Sequence, residues 1–428
     1  MPAEEVPLSP AATRFCRYVR IDTQSDPNSQ TVPSTEKQKN LGRLLVEELQ
    51  ALGLTDAAMD AHGYVMATLP SALPPEEAAR LPVLGLAAHL DTSPDAPGAH
   101  VRPHVHPRYE GTALALPGDP SVVLDPARQP ALLQHVGHDL LTSDGTTLLG
   151  SDDKAGVAII MQLAEDLMKE EREPPSPRPT LRLLFTPDEE IGRGVDHLDL
   201  SSFGADVAYT LDGSGTDRLN VETFHAAEAV VTIEGIGVHP GYAKGVMVNA
   251  LRLAAAFIAG FPADEAPETT DGRGGYFHPH GLSGDAERAE VKVLLRDFEE
   301  EGMALRKARV RSLAYGLVER YPKAHVAVEI LDSYKNMRRY IEEEDPRAIT
   351  FAVEAARRMG FEPELEPVRG GTDGARLSER GLPTPNVFTG GYDFHSRFEW
   401  NTVQNLERAL EYVKTLVRVW GERGVDPS

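Results

Sequence analysis

The chain has 428 residues, with 66 Asp and Glu against 43 Lys and Arg, for a formal net charge of -23. At roughly 100–200 residues per domain it is long enough for about two or three domains. Its 41% hydrophobic and 25% charged content excludes a disordered chain, a collagen-like fibre and a coiled-coil rod. The acidic excess argues against nucleic acid or anionic lipid as a partner, though not against a local basic pocket. One cysteine, Cys16, allows no intramolecular disulfide and no cysteine-rich metal site. The opening MPAEEVPLSP is acidic where a secretory signal is basic and then apolar, and no uncharged apolar run suits a membrane span. A soluble, cytoplasmic protein with no nucleic-acid or membrane partner is expected.

In chain order, residues 36–52 place Leu41, Leu44, Leu45 and Leu52 at helical spacing, and Gly53 stops the helix. Apolar runs at Tyr64 to Leu69, Val83 to Ala88, Leu181 to Thr186 and Val207 to Leu211 predict strands. Lys154 to Lys169 predicts a helix with Val157, Ile160, Met161 and Ala164 on one face. The proline-rich EEREPPSPRP at 170–179 is expected to be a surface connection. This alternation is the mark of an α/β sheet. From Ala226 the pattern changes. AEAVVTIEGIGVH predicts an edge-type antiparallel strand, followed by a helix at Val248–Gly260, a long loop at 262–285, the strand AEVKVLLRDF, a helix at 301–320 and the strand HVAVEILDSY. That β-α-β-α-β order is a compact insert. A helix at 345–359 and a strand near Pro385–Phe388 then resume the first style. The expected domains are 1–223 and 335–428 for the α/β part and 224–334 for an inserted α+β part.

Acids and histidines sit where apolar strands stop, which in open α/β sheets is the ligand-binding edge. In Ala87-Ala88-His89-Leu90-Asp91-Thr92, residues two apart point the same way, so His89 and Asp91 face one site. Gly150-Ser151-Asp152-Asp153 leads into a helix, where a carboxylate is ordinarily a cap. Asp188-Glu189-Glu190 follows a strand directly, and the mutual repulsion of three acids calls for something positive, best a bound cation. Asp212 ends a further strand, and Gly390-Gly391-Tyr392-Asp393-Phe394-His395 is a glycine turn followed by a histidine. Mixed imidazole and carboxylate groups suit zinc, or manganese and cobalt. His100, His104 and His106 lie in a proline- and glycine-rich stretch expected to be solvated loop.

The blocks HLDTS, GSDDKAG, TPDEEIG, TLDGSG, GVHPGYAKGVMVNA, LLRDF, VRGGTDGARLS and FTGGYDFH, in this order from about residue 10 to residue 420, resemble the tripeptide aminopeptidases of the M20 metallopeptidase family. The resemblance implies a zinc-exopeptidase-like catalytic domain with a mixed central sheet flanked by helices, and an inserted α+β dimerisation (lid) domain. It implies two zinc ions per subunit, with cobalt or manganese as substitutes, one held by His89, Asp152 and Asp212 and the other by Asp152, Glu190 and His395. Glu189 is then the general base and Asp91 the partner that orients His89. His239 is the histidine that reaches over the metals, typically across a homodimer. Arg296 and Arg369 hold the carboxylate end of a small peptide substrate, and Asn249 its backbone. Arginine suits that task because its planar fork donates two parallel hydrogen bonds. The sequence departs from the family pattern at Tyr242, where a small residue is usual after HPG. Two other readings are a different M20-type amide hydrolase (dipeptidase, carboxypeptidase or deacylase) and a non-catalytic peptide- or metal-binding module, which would be expected to lack Glu189 or a ligand.

Overall fold

The computed structural model describes residues 8–170 and 176–424. The N-terminal MPAEEVP and residues 171–175 of the proline-rich connection lie outside the described residues. The chain divides into two compact units. One comprises Met1–Val221, Arg339–Glu366 and Thr372–Ser428, and the other Glu222–Arg338 with Pro367–Gly371.

The larger unit is built on a mixed sheet. Its strands run in the spatial order Ala58–Met59, Val65–Leu69, Leu181–Thr186, Leu84–His89, Val207–Ser214, Asn386–Gly391, Arg218–Thr223 and Glu364–Val368. The four central strands, Leu181–Thr186, Leu84–His89, Val207–Ser214 and Asn386–Gly391, are mutually parallel, and the flanking pairings of Val65–Leu69 and Arg218–Thr223 are antiparallel. LGLAAH in Leu84–His89 is buried at every position. That continuous apolar run is what a parallel strand covered on both faces requires. Helix Ser151–Met168 packs so closely that a Cβ at Gly156 would stand 2.0 Å from the Leu211 carbonyl oxygen, an approach only glycine permits. The C-terminal helix Val403–Arg423 buries Leu406, Val413, Leu416 and Trp420, and packs on Arg347–Arg358 and on strand Asn386–Gly391.

Two local expectations are corrected in this unit. His104–His106 is a short strand of a three-stranded sheet with Leu140–Thr142 and Trp400–Thr402, not a solvated loop. His106 sets Nε2 2.9 Å from Thr142 Oγ1, and burial pushes its pKa down to about 4. The described end of the proline-rich connection is also not free surface, because Ser176 and Arg178 are buried. A helix at Met337–Glu344, not anticipated, precedes Arg347–Arg358.

The smaller unit is a four-stranded antiparallel sheet in the order Tyr276–Gly284, Arg288–Asp297, His225–Glu234, His325–Tyr334, with helices Ala250–Ile258 and Glu300–Arg320 against it. Ala227, Ala229, Val231 and Ile233 alternate into a core shared with Val291, Val293, Leu253 and Val310. Two corrections follow. His225–Glu234 is not an edge, since it pairs on both sides, and the expected loop 262–285 contains strand Tyr276–Gly284. The element order is therefore β-α-β-β-α-β.

Candidate metal centre

The parallel strands end side by side, and the side chains beyond those ends converge. His89 Nε2 lies 2.8 Å from Asp152 Oδ1 and 3.5 Å from Asp212 Oδ1. His395 Nε2 lies 2.9 Å from Glu190 Oε2 and 3.2 Å from Asp152 Oδ2. Two three-residue groups with the spacing of metal ligands result, His89–Asp152–Asp212 and Asp152–Glu190–His395. Asp152 belongs to both and turns one oxygen toward each. Donor atoms bound to one zinc at ~2.0–2.2 Å stand about 3.3 Å apart, so these separations suit a tetrahedral ion. A second observation points the same way: Glu190 Oε1 is buried and has no hydrogen-bond partner among the described residues.

The electrostatics of the cluster favour a cation. Burial, together with the charge of Asp152, pushes Glu190 up to about 8 and Asp212 up to about 6. Burial also raises Glu189 and Asp153 well above the usual carboxylate range. Asp152 moves the other way: hydrogen bonds from His395 and His89 overcome the cost of burying it. His395 rises to about 11 through its hydrogen bonds to Asp152 and Glu190. Two imidazoles cannot balance so many buried carboxylates, and divalent cations would relieve the repulsion.

The surrounding residues set these groups. Asp91 is fully buried and accepts the backbone N–H groups of Glu189 on Oδ1 (3.0 Å) and Glu190 on Oδ2 (3.2 Å). His89 Nδ1 lies 3.0 Å from the Asp91 carbonyl oxygen and 3.4 Å from its Oδ1, so Asp91 touches the imidazole with both backbone and side chain. Glu189 belongs to neither three-residue group. Its Oε1 accepts the N–H of Asp373 at 3.2 Å, and it lines a small cavity with His89, Asp212 and Asp373. Asp188, in the left-handed region at φ 58, turns away from the cluster. It accepts Ser34 N–H (2.6 Å), Ser34 O–H (2.5 Å) and a Gln38 side-chain N–H (2.7 Å). Of the three consecutive acids, then, Asp188 has its oxygens taken up by hydrogen bonds within the fold and is not turned toward the cluster.

The model of the peptidase family M20/M25/M40 matches residues 145–419. Peptidase T of Geobacillus thermodenitrificans strain NG80-2 is 43% identical over 410 residues, covering 96% of this chain and 98% of its own. The chain belongs to the M20/M25/M40 peptidase family. A crystal structure of a tripeptidase from Staphylococcus aureus aligns with a TM-score of 0.76 at 19% identity, over 97% of this chain and 100% of that one. A dinuclear metal binding peptidase of the M20 family from Bacillus subtilis aligns with a TM-score of 0.65 at 15% identity, over 96% and 98% of the two chains.

The remaining expected site residues of this M20 chain belong to the smaller unit. His239 is exposed, and its Nδ1 accepts the N–H of Gly241 at 3.1 Å, which leaves the ring proton on Nε2. Tyr242 is 80% exposed, with its ring 5.5 Å from that of His239. Arg296 donates from Nη1 to the carbonyls of Leu295 and Ala227 and lies over the Tyr334 ring. Arg369 donates to the carbonyls of Gly272 and Gly274, each at 2.9 Å, and to Thr270 Oγ1, between the rings of Phe224 and Tyr276. Asn249 caps helix Ala250–Ile258 by accepting Arg252 N–H.

Sequence reasoning missed several contributors. Asp95 Oδ2 sits 3.2 Å from His395 Nδ1, so the segment after His89 touches both histidines of the centre. Asp373, raised to about 7 chiefly by burial, accepts the Thr186 hydroxyl. Glu399 is the third, a buried acid in HSRFEW. A D-x-x-x-D spacing after the first histidine was the one available signal for Asp95; nothing local marks the other two.

Proposed function

We propose that the chain is a tripeptide aminopeptidase that uses two divalent metal ions, zinc foremost, to release the N-terminal residue of short peptides. The observation that carries the reading is the placement of Asp152, with one carboxylate oxygen in each of two histidine-containing groups. The name of the Geobacillus relative and the dinuclear description of the Bacillus subtilis structure support it. His89, Asp152 and Asp212 would hold one ion, and Asp152, Glu190 and His395 the other. Such a pair of ions supplies Lewis acidity and makes water a nucleophile near neutral pH.

The side chains of the protein do the rest. Glu189, beside the ligands and itself in neither group, takes a proton from the attacking water and delivers it to the leaving amine. Its carboxylate is aimed by the Asp373 N–H, and its backbone by Asp91. His239 donates from Nε2 to the oxyanion of the tetrahedral intermediate, reaching over from a second copy in a homodimer built on the smaller unit. Arg296 uses Nη1 for backbone carbonyls, so Nε and Nη2 are the donors assigned to the carboxylate end of the peptide. Arg369 shapes the 270–274 segment around that end, and Asn249 lies at the peptide backbone. No described helix is long and apolar enough to cross a membrane; a cytoplasmic location is part of the proposal, supported by the single cysteine.

Hydrolysis of Ala-Ala-Ala, of dipeptides and of N-acyl amino acids, with chelator and after zinc or cobalt add-back, tests the reading. Tripeptide turnover lost to chelator and restored by metal is expected. Preference for N-acyl amino acids, or turnover indifferent to chelator, would overturn it.

A further inference from the structure

We propose that Glu399 is a positioning residue of the metal centre, one that fixes the backbone from which Asp152 is presented. The inference rests on the ligand assignment above. Glu399 is 1% exposed and stands four residues after His395. Its Oε2 accepts the N–H groups of Leu149 and Gly150, both at 2.8 Å, and its Oε1 accepts the N–H of Asp152 at 3.0 Å. Between those amides the chain turns through Gly150 at φ 82, a conformation that favours glycine.

This is a costly way to hold a turn. A buried carboxylate must be compensated, and among the described residues no Lys or Arg side chain forms an ion pair with Glu399. The nearby Lys154 instead donates its Nζ to the Ile21 carbonyl at 2.7 Å. A neutral side chain could cap a turn without adding a further negative charge beside the crowded acids. The carboxylate does what a neutral group cannot: it accepts three N–H bonds at once on two oxygens, gripping both sides of the turn. With the Asp152 amide fixed, the direction of its side chain is fixed too, and each oxygen keeps its own group. Because Glu399 follows His395 so closely, the same short segment places one ligand and locks another.

Zinc titration against a chromophoric chelator, with the visible spectrum of the Co2+-loaded protein, tests this in the full chain. Glu399→Gln keeps the size but sets an NH2 group against at least one N–H. It is expected to weaken binding of both equivalents by about 10–100-fold, the usual loss when an outer-shell partner is removed, and to shift the cobalt spectrum. At saturating zinc most of kcat should return, with KM little changed. Glu399→Asp, shorter by one methylene, should lose less. A merely structural role would lower the Tm and leave both metal readouts as in the wild type, and that result would overturn the proposal. If the Gln variant does not fold, Glu399→Asp decides by the same two readouts. A wild type that binds no zinc would remove the ligand assignment itself; a wild type that binds two, matched by the variant, would remove Glu399 alone.

Discussion

The two units hold their functional side chains differently. In the larger one partners distant in sequence fix much of the expected centre: Asp91 bonds the amides of Glu189 and Glu190, Glu399 those of the Asp152 turn, and Asn386 the amide of Asp212, while His89 is held by Asp91 two residues on. In the smaller one the expected substrate-binding groups divide: His239 caps its own turn and Asn249 its own helix, whereas Arg296 and Arg369 also reach groups far away in sequence. Long-range hydrogen bonds preorganise a site because the whole fold must move to change them. Local ones leave a side chain placed but still open to a ligand. On the proposed assignment the chemistry belongs to groups held from afar, and recognition to a mixture of locally and distantly held ones.

Substitutions can break or sharpen that contrast. The largest effect belongs to Glu189→Gln, which should lower kcat by about 10²–10⁴-fold, the worth of a general base, while zinc content stays at the wild-type value. Near-native turnover with both metals bound would remove Glu189 from the role. His239→Gln should cost about 10²–10³-fold in kcat, as loss of an oxyanion donor does, with no change in metal binding or Tm. A strictly monomeric and fully active protein by sedimentation would sever His239 from a second copy.

Smaller effects test the supports. Asp188→Asn leaves the left-handed backbone acceptable, since asparagine tolerates that region. It nevertheless turns an NH2 group toward the donors of Ser34 and Gln38. A loss of about 1–3 kcal/mol in a denaturant titration is expected, and an unchanged midpoint would show that the network adds nothing. Asn249→Ala should cost about 1 kcal/mol through the lost cap. If KM for a tripeptide rises as well, Asn249 binds substrate; if only Tm falls, its work is confined to the helix.

How much could be foreseen depended on where the cause lay. His89, Asp212 and the 188–190 acids could be singled out because they break apolar runs at strand ends, and the four parallel strands were visible as runs too apolar for a half-exposed sheet. Tyr276–Gly284 was hidden because YFHPHGLSG has a proline, glycines and histidines in place of β-branched alternation, and its pairing is irregular between Pro279 and Gly281. His225–Glu234 could be recognised as a strand but not as a central one. A sheet covered on one face gives its inner and edge strands the same alternation, and Glu228 and Thr232 fill the other face in either case. Glu399, Asp373 and Asp95 act on partners far away in sequence or on backbone amides, and an amide leaves no trace in the residue letters.

The span of chain between the first and last residues of the metal centre has a consequence for biosynthesis. On the proposed assignment the second ion needs His395, and Asp152 needs Glu399, so a ribosome must reach residue 399 before the centre can close. On the same assignment, a chain made only as far as Glu189 could not yet organise it into a working protease. On that assignment activity is deferred until the segment from His395 to Glu399 has been made.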